Sequence, residues 1–203
     1  MRLLSLVVVV CSSLILGFAP QTCYSAAPKE KPADGFVDLF NGKTLDGWTV
    51  TNCEVEIKDG ALKLVSGNGM VRTNRKYADY IFDFQWKALA DDRWDSGIYF
   101  RCKLPPADSD YPWPHYYQAN LLKGMEGNVS RLKGAKSTGL VKPGQWNRFK
   151  LTVKGTKAEL EINGKPAWKA DGLEDPDGYI AIQAEVPKGG QFLFKNVRIK
   201  ELR

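Results

Sequence analysis

Apolar and polar residues alternate along this chain in short runs, broken every few residues by Gly, Pro, Asn or Asp, and no segment after Phe36 sustains a helical period. Alternation with a period of two marks strands that bury one face and expose the other. It predicts strands over residues 54–57, 61–65, 79–87, 97–102, 116–122, 148–154, 158–163, 178–185 and 191–201. Lys58-Asp59-Gly60 and Asn163-Gly164 have the residues that tight hairpin turns require. Within 79–87, Tyr80, Phe82, Phe84 and Trp86 form an apolar face opposite Asp83, Gln85 and Lys87, and Phe149, Leu151 and Val153 oppose Lys150, Thr152 and Lys154 in the same way. Many short strands with little helix predict an all-β fold, a two-sheet sandwich of jelly-roll type.

Two strands carry chemistry on the face that the core does not use. In 96–102, Ile98, Phe100 and Cys102 read as core, which places Tyr99 and Arg101 on the other side. In 178–186, Ile180, Ile182, Ala184 and Val186 read as core, leaving Tyr179, Gln183 and Glu185 outside. Aromatic, amide, guanidinium and carboxylate groups on one sheet face suit a sugar, because rings cover C–H faces and planar polar groups bridge hydroxyls. The plain alternative is a solvent-facing sheet with cross-strand pairs.

The first residues follow different rules. Arg2, the apolar run from Leu3 to Phe18 and the small residues before Ala27 read as a secretory signal peptide over 1–26, followed by a short Pro- and charge-containing linker over 27–35 and one domain over 36–203. A secreted or periplasmic location is expected, with no membrane span once the leader is removed; a retained anchor is the competing reading, since the run falls a little short of the roughly 20 residues a span needs. The domain is long enough for a proper core.

Charge narrows the partners. The formal net charge is +6, but its lysines and arginines are interleaved with acids and turns, so no basic block marks a nucleic-acid footprint. Cys11 and Cys23 fall in the leader, leaving Cys53 and Cys102 either as one disulfide or as two buried small residues. His115 is the only histidine and no Cys-x-x-Cys spacing occurs, so zinc has little support. No cofactor is called for, and calcium on loop oxygens is the one metal left open.

Several short motifs, in this order, give the chain a resemblance: LFNGKTLDGW at 39–48, DSGIYFR at 95–101, GQWN at 144–147, the Ile162-Asn-Gly164 turn, GYIAIQ at 178–183 and FKNVRIKEL at 194–202. Together they resemble the 3-keto-disaccharide hydrolase domain family, over essentially the whole of 36–203. The resemblance implies a concanavalin A-like or laminin G-like jelly roll acting on a sugar whose C3 hydroxyl has become a ketone. That ketone acidifies the C2–H, so a base near neutral pKa and an electrophile over the C3 oxygen are needed, and the paired carboxylates of an ordinary glycosidase are not.

The resemblance assigns roles residue by residue. Arg101 matches the arginine of the Ser-Gly-x-x-x-Arg segment and is the candidate to polarise the C3 carbonyl, with a cross-strand ion pair as its structural alternative. Glu185 is the leading base and Gln183 a hydroxyl ligand, while Trp48 reads as edge packing. The 116–122 strand departs from the family's Tyr-Glu-x-Gln, with Gln118 where a glutamate is common and Asn120 where the glutamine stands. An amide cannot be a general base. The aromatic, proline-stiffened run at 110–115 brings Trp113 as a wall for a sugar and His115 as an alternative base, or forms a rigid loop. Tyr99, Gln118, Asn120, Gln183 and Trp113 are thus the expected saccharide contacts. Two functions follow: an exported enzyme cleaving 3-keto-glycosides, or a glycan-binding module of the periplasm or cell surface that has lost its base.

Overall fold

The computed structural model describes residues 34–106, 109, 111–114 and 117–203. Their strands are β1 (Val37–Asp38), β2 (Trp48–Lys58), β3 (Ala61–Thr73), β4 (Tyr80–Ala88), β5 (Gly97–Cys102), β6 (Gln118–Asn120), β7 (Asn147–Lys154), β8 (Lys157–Ile162), β9 (Lys165–Asp171), β10 (Tyr179–Glu185) and β11 (Phe192–Glu201). A single helical turn, α1 (Val186–Gly189), joins β10 to β11. Hydrogen bonds link the strands in one antiparallel path, β6-β5-β10-β3-β11-β4-β7-β8-β9, with β1 on β11 and β2 on β3.

This sheet curls on itself at β3. Leu62 and Lys63 pair with β11, whereas residues 68–72 pair with β10, so β3 passes from a back layer (β11, β4, β7, β8, β9) into a front layer (β10, β5, β6). The expected alternation fills the space between. Phe82, Phe84, Trp86, Phe149, Leu151, Phe192 and Phe194 from the back layer form one apolar cluster with Ile98, Phe100, Ile180, Ile182 and Ala184 from the front. Rings meet obliquely, as Phe82 and Phe84 do at 4.9 Å and Trp86 and Phe149 at 5.6 Å, the arrangement the quadrupoles of aromatic rings favour. The fold is an all-β jelly-roll sandwich.

Both expected hairpin turns are present. Asp59-Gly60 (φ 51° and 75°) joins β2 to β3, and Asn163-Gly164 (φ 53° and 77°) joins β8 to β9. Two positive φ values in succession give the backbone twist that flanking strands need, which is why Asn or Asp followed by Gly occupies such turns. Strand β2 starts at Trp48, earlier than the 54–57 expected, β1 was not among the expected strands, and three further features differ. Strand β9 was not anticipated, because Pro166 and its scattered charges obscure the alternation that buries Trp168. Strand β3 runs on to Thr73 through Ser66-Gly67-Asn68-Gly69, which reads as a break in sequence. A Cβ at Gly67 or Gly69 would collide with the β2 backbone at residues 51–53, where the register of β2 against β3 shifts. Strand β6 is confined to Gln118–Asn120, shorter than the 116–122 expected.

Trp48 is buried at the margin of the sandwich and its indole N–H donates to the Leu39 carbonyl at 2.6 Å, so the opening motif serves packing, as expected.

Candidate functional site

The outward face of the front layer is built by period-two alternation on β10. Ile180, Ile182 and Ala184 enter the core, so Tyr179, Ala181, Gln183 and Glu185 stand on the opposite side. On β3, Asn68, Met70 and Arg72 lie directly across from Glu185, Gln183 and Ala181. On β5, Tyr99 pairs with Ala181 on one side and Gln118 of β6 on the other. The face therefore gathers Tyr99, Gln118, Gln183 and Glu185, all singled out from the sequence.

Two amides orient the carboxylate. Gln118 Nε2 donates to Gln183 Oε1 at 2.6 Å, and Gln183 Nε2 reaches Glu185 Oε2 at 3.4 Å. This chain exists because residue 97 is glycine: a Cβ there would occupy the space of the Gln118 amide. Ser96 adds a buried hydroxyl that donates to the Gln183 carbonyl at 2.7 Å and fixes the backbone beneath the side chain.

Aromatic side chains close over this layer. Tyr99, Met70, Cys102 and Ala181 form a second apolar cluster on the outer side, with Trp113 and Tyr179 packed against it. Trp113 donates its indole N–H to the Ala184 carbonyl at 3.1 Å and meets Tyr111 edge-on at 5.1 Å. Burial, with the Tyr111 side chain beside it, raises the Tyr99 phenol above its ordinary pKa, so Tyr99 stays a neutral hydroxyl at any physiological pH. Beside these residues an open cleft of about 230 Å3 is lined by Thr51, Met70, Arg72, Leu104, Tyr111 and their neighbours.

One acid on this face was not anticipated as a site residue. Asp95 precedes β5, and partial burial together with the nearby Glu185 carboxylate raises its pKa to about 6. Its backbone N–H donates to the Gly189 carbonyl at 2.9 Å, and a Cβ on Gly189 would strike the Asp95 carbonyl, so α1 fixes where Asp95 stands. The signal was available: Asp95, Gly97 and Tyr99 alternate in register, and the parity that exports Tyr99 exports Asp95 too.

Two expected residues, Arg101 and Cys102, are placed differently. Arg101 is not on this face. The alternation breaks at Arg101 (φ 45°), where β5 carries one extra residue against β10: Tyr179 pairs with Cys102, yet Ala181 pairs with Tyr99. The arginine is 1% exposed, and its guanidinium donates four of its five N–H groups, to the Ala78, Gly155 and Asp175 carbonyls and to the Asp79 carboxylate at 2.6–3.0 Å, so it is committed to the framework and closed off from a ligand on the front face. The same bulge turns Cys102 outward, against its core assignment. Cys53 packs against the inner cluster and Cys102 lies in the outer one, so the two thiols are on opposite sides of the layer and both are free; the disulfide expected as one alternative does not form. Asn120 Oδ1 accepts the Leu122 N–H at 2.6 Å and so shapes the turn after β6. His115 lies outside the described residues.

Among the described residues no three His, Cys, Asp or Glu side chains gather as a metal-binding group, and no helix is long and apolar enough to cross a membrane.

Comparison with known proteins adds to this geometry. Residues 35–200 match the profile of the 3-keto-alpha-glucoside-1,2-lyase-like domain. No match was found among curated proteins. Among solved structures, the chain is similar to a suspected glycosyl hydrolase of Parabacteroides distasonis ATCC 8503 (23% identity, 87% of this chain and 98% of that one, TM-score 0.65). It is also similar to the carbohydrate binding module CBM66 from Bacillus subtilis (16% identity, 76% and 96%, TM-score 0.59) and to a Bacillus licheniformis beta-glucanase (13% identity, 83% and 97%, TM-score 0.52). At these identities the likenesses speak for the jelly-roll fold. With the matched profile spanning nearly all of the described residues, the chain belongs to the 3-keto-alpha-glucoside-1,2-lyase-like domain family, and its function is carbohydrate-related.

Proposed function

We propose that the front face cleaves 3-keto-glycosides, with Glu185 and Asp95 dividing the proton transfers. The observation that carries this reading is the proximity of the two carboxylates beside the Gln118–Gln183 amide chain, with Asp95 raised to about 6 while Glu185 is held by an amide hydrogen bond. Glu185 removes the C2 proton that the C3 ketone acidifies. The resulting enolate re-forms the ketone as the C1–O bond breaks, and Asp95 in its acid form gives its proton to the departing oxygen. Water then adds across the C1–C2 double bond, its oxygen to C1 and its hydrogen to C2, which restores the ring as a 3-keto-sugar. Gln118 and Gln183 are the hydroxyl ligands, Trp113 and Tyr111 the apolar wall, and Arg72 is the guanidinium nearest the cleft able to meet the C3 oxygen.

The test is release of the second sugar from a 3-keto-disaccharide by the purified domain. Glu185→Gln should lower kcat by roughly a hundredfold or more, the usual worth of a positioned acid or base. Asp95→Asn should lower it less and remove the fall in rate above pH 6. No release by the unaltered domain, with or without divalent cations, rejects the proposal.

A second reading has its own observation. Gln118 occupies the place where the family commonly has glutamate, and its amide is committed to Gln183 at 2.6 Å. A binding module would retain affinity for unoxidised glycans without turnover, and Trp113→Ala would abolish that affinity.

A further inference from the structure

The outer face of the back layer, on the far side of the core from Glu185, carries a second cleft that the reading above does not use. Its volume is about 370 Å3, and its walls come from the β2–β3 hairpin, β11, the residue after β4 and the residue before β7. Trp146, Leu89 and Leu193 supply an apolar floor, and Lys58, Lys63 and Lys195 stand around it with Asp59 as the one acid in the lining. The arrangement follows from strand parity. Phe192 and Phe194 point into the core, so Leu193 and Lys195 point out. Leu193 is flanked across the sheet by Lys63 of β3 and Lys87 of β4, and Lys195 by Gln85.

The charges here are unequally matched. Lys63 is paired with Glu56 at 2.8 Å. Lys58, Lys87 and Lys195 enter no ion pair among the described residues; Asp59 is the one acid lining the cleft, and Glu56, already paired with Lys63, also feels the Lys58 charge. Lys195 sits with Nζ 4.0 Å from the centre of the Trp146 ring, a cation–π contact that holds the ammonium in place over the floor. Along β11 the cleft continues into a polar one of about 340 Å3 lined by Gln85, Arg148, Asp83, Arg198, Asn196 and Asp38. There Asp83, 3% exposed, accepts from both Arg148 and Arg198, which rigidifies the guanidinium groups at the surface.

We infer that this outer face is a second binding site, for a saccharide chain bearing carboxylate or sulfate groups. An apolar floor of one indole and two leucines suits the C–H face of a sugar ring, and the excess of ammonium groups around it, with Lys195 anchored on the indole, selects an acidic sugar over a neutral one. Gln85 and the two anchored arginines extend the contact to hydroxyls of the next residue along the chain. The site is independent of the front face and stands whether or not that face is catalytic.

Affinity electrophoresis and calorimetry with polygalacturonate, chondroitin sulfate and a neutral β-glucan test the inference. The domain should bind one or both acidic polymers at low salt and leave the neutral glucan unbound. Lys58→Glu with Lys195→Glu should weaken that binding by roughly tenfold or more, with the melting temperature preserved, because the outer lysines steer and hold the anion without packing in the core. Glu185→Gln should bind as the unaltered domain does, which separates this site from the front one. Preference for polygalacturonate or for chondroitin sulfate identifies carboxylate or sulfate as the recognised group. Absence of binding to both, undiminished binding by the double variant, or equal affinity for double-stranded DNA overturns the inference.

Discussion

At the scale of single residues, the most informative group is Asp95. Its carboxyl is raised from 3.8 to about 6 by partial burial and then by Glu185. A carboxyl whose folded pKa lies above its unfolded one binds its proton more tightly in the folded state. It therefore contributes stability below about pH 4, and that contribution is lost as pH rises through 6. Asp95→Asn cannot ionise, so its melting temperature relative to the unaltered domain should rise as pH goes from 4 to 7, and differential scanning at stepped pH measures this. A relative melting temperature that stays constant over the range would mean that burial and Glu185 do not raise Asp95. Asp95 was within reach of sequence reasoning, since parity with Tyr99 exports it. Gln183, Glu185 and Tyr99 were legible for that same reason. Arg101 was misread because a single residue at positive φ reverses parity, and nothing in the letters of DSGIYFR announces it.

At the scale of elements, the bulge in β5 is a structural device. Its arginine ties the Ala78–Asp79 segment, the β7–β8 turn at Gly155 and the Asp175 segment together through four acceptors. Removing that guanidinium takes a donor from the Ala78, Gly155 and Asp175 carbonyls and leaves Asp79 without its ion-pair partner. Arg101→Ala should destabilise the domain by about 2 kcal/mol or more, because the buried arginine loses four hydrogen bonds while Asp79 regains solvent. Arg101→Lys should recover little, because an ammonium cannot span the fork. Urea unfolding monitored by Trp fluorescence provides the measurement, and a loss below about 1 kcal/mol would contradict a structural role of this size. The bulge also decides the thiols. With Cys53 and Cys102 on opposite sides of the layer, unfolding the 36–203 domain without reductant should expose two titratable thiols per chain. In the folded domain both should react slowly, since burial raises both and pushes Cys102 up to about 12.

At the scale of the whole molecule, the curled sheet presents two outward faces with different chemistry. The front is aromatic, amide-rich and acidic, and the back is basic around Trp146. The core between them is continuous, so each face is held rigid by the same packed layer. We propose that the molecule works outside the cytoplasm, as the leader-like residues 1–26 suggest, and that protein recovered from the secreting host begins near Ala27. N-terminal sequencing decides this, and an intact Met1 would refute it.

The sequence by itself determined the fold class, the hairpins and the parity of most strands, because those depend on the period of side chains along a strand and on local turn geometry. It also determined that Gln183 and Glu185 share a face. Only the tertiary structure decided what those residues meet. That Gln118 leans across Gly97 to Gln183, that Asp95 stands near Glu185, that Arg101 is tied into the framework and that the two cysteines are separated by a sheet all depend on strands distant in sequence, on one bulge and on the turn that packs Gly189 against Asp95. Period-two reasoning assigns a side to a residue, but register and bulges choose its neighbours.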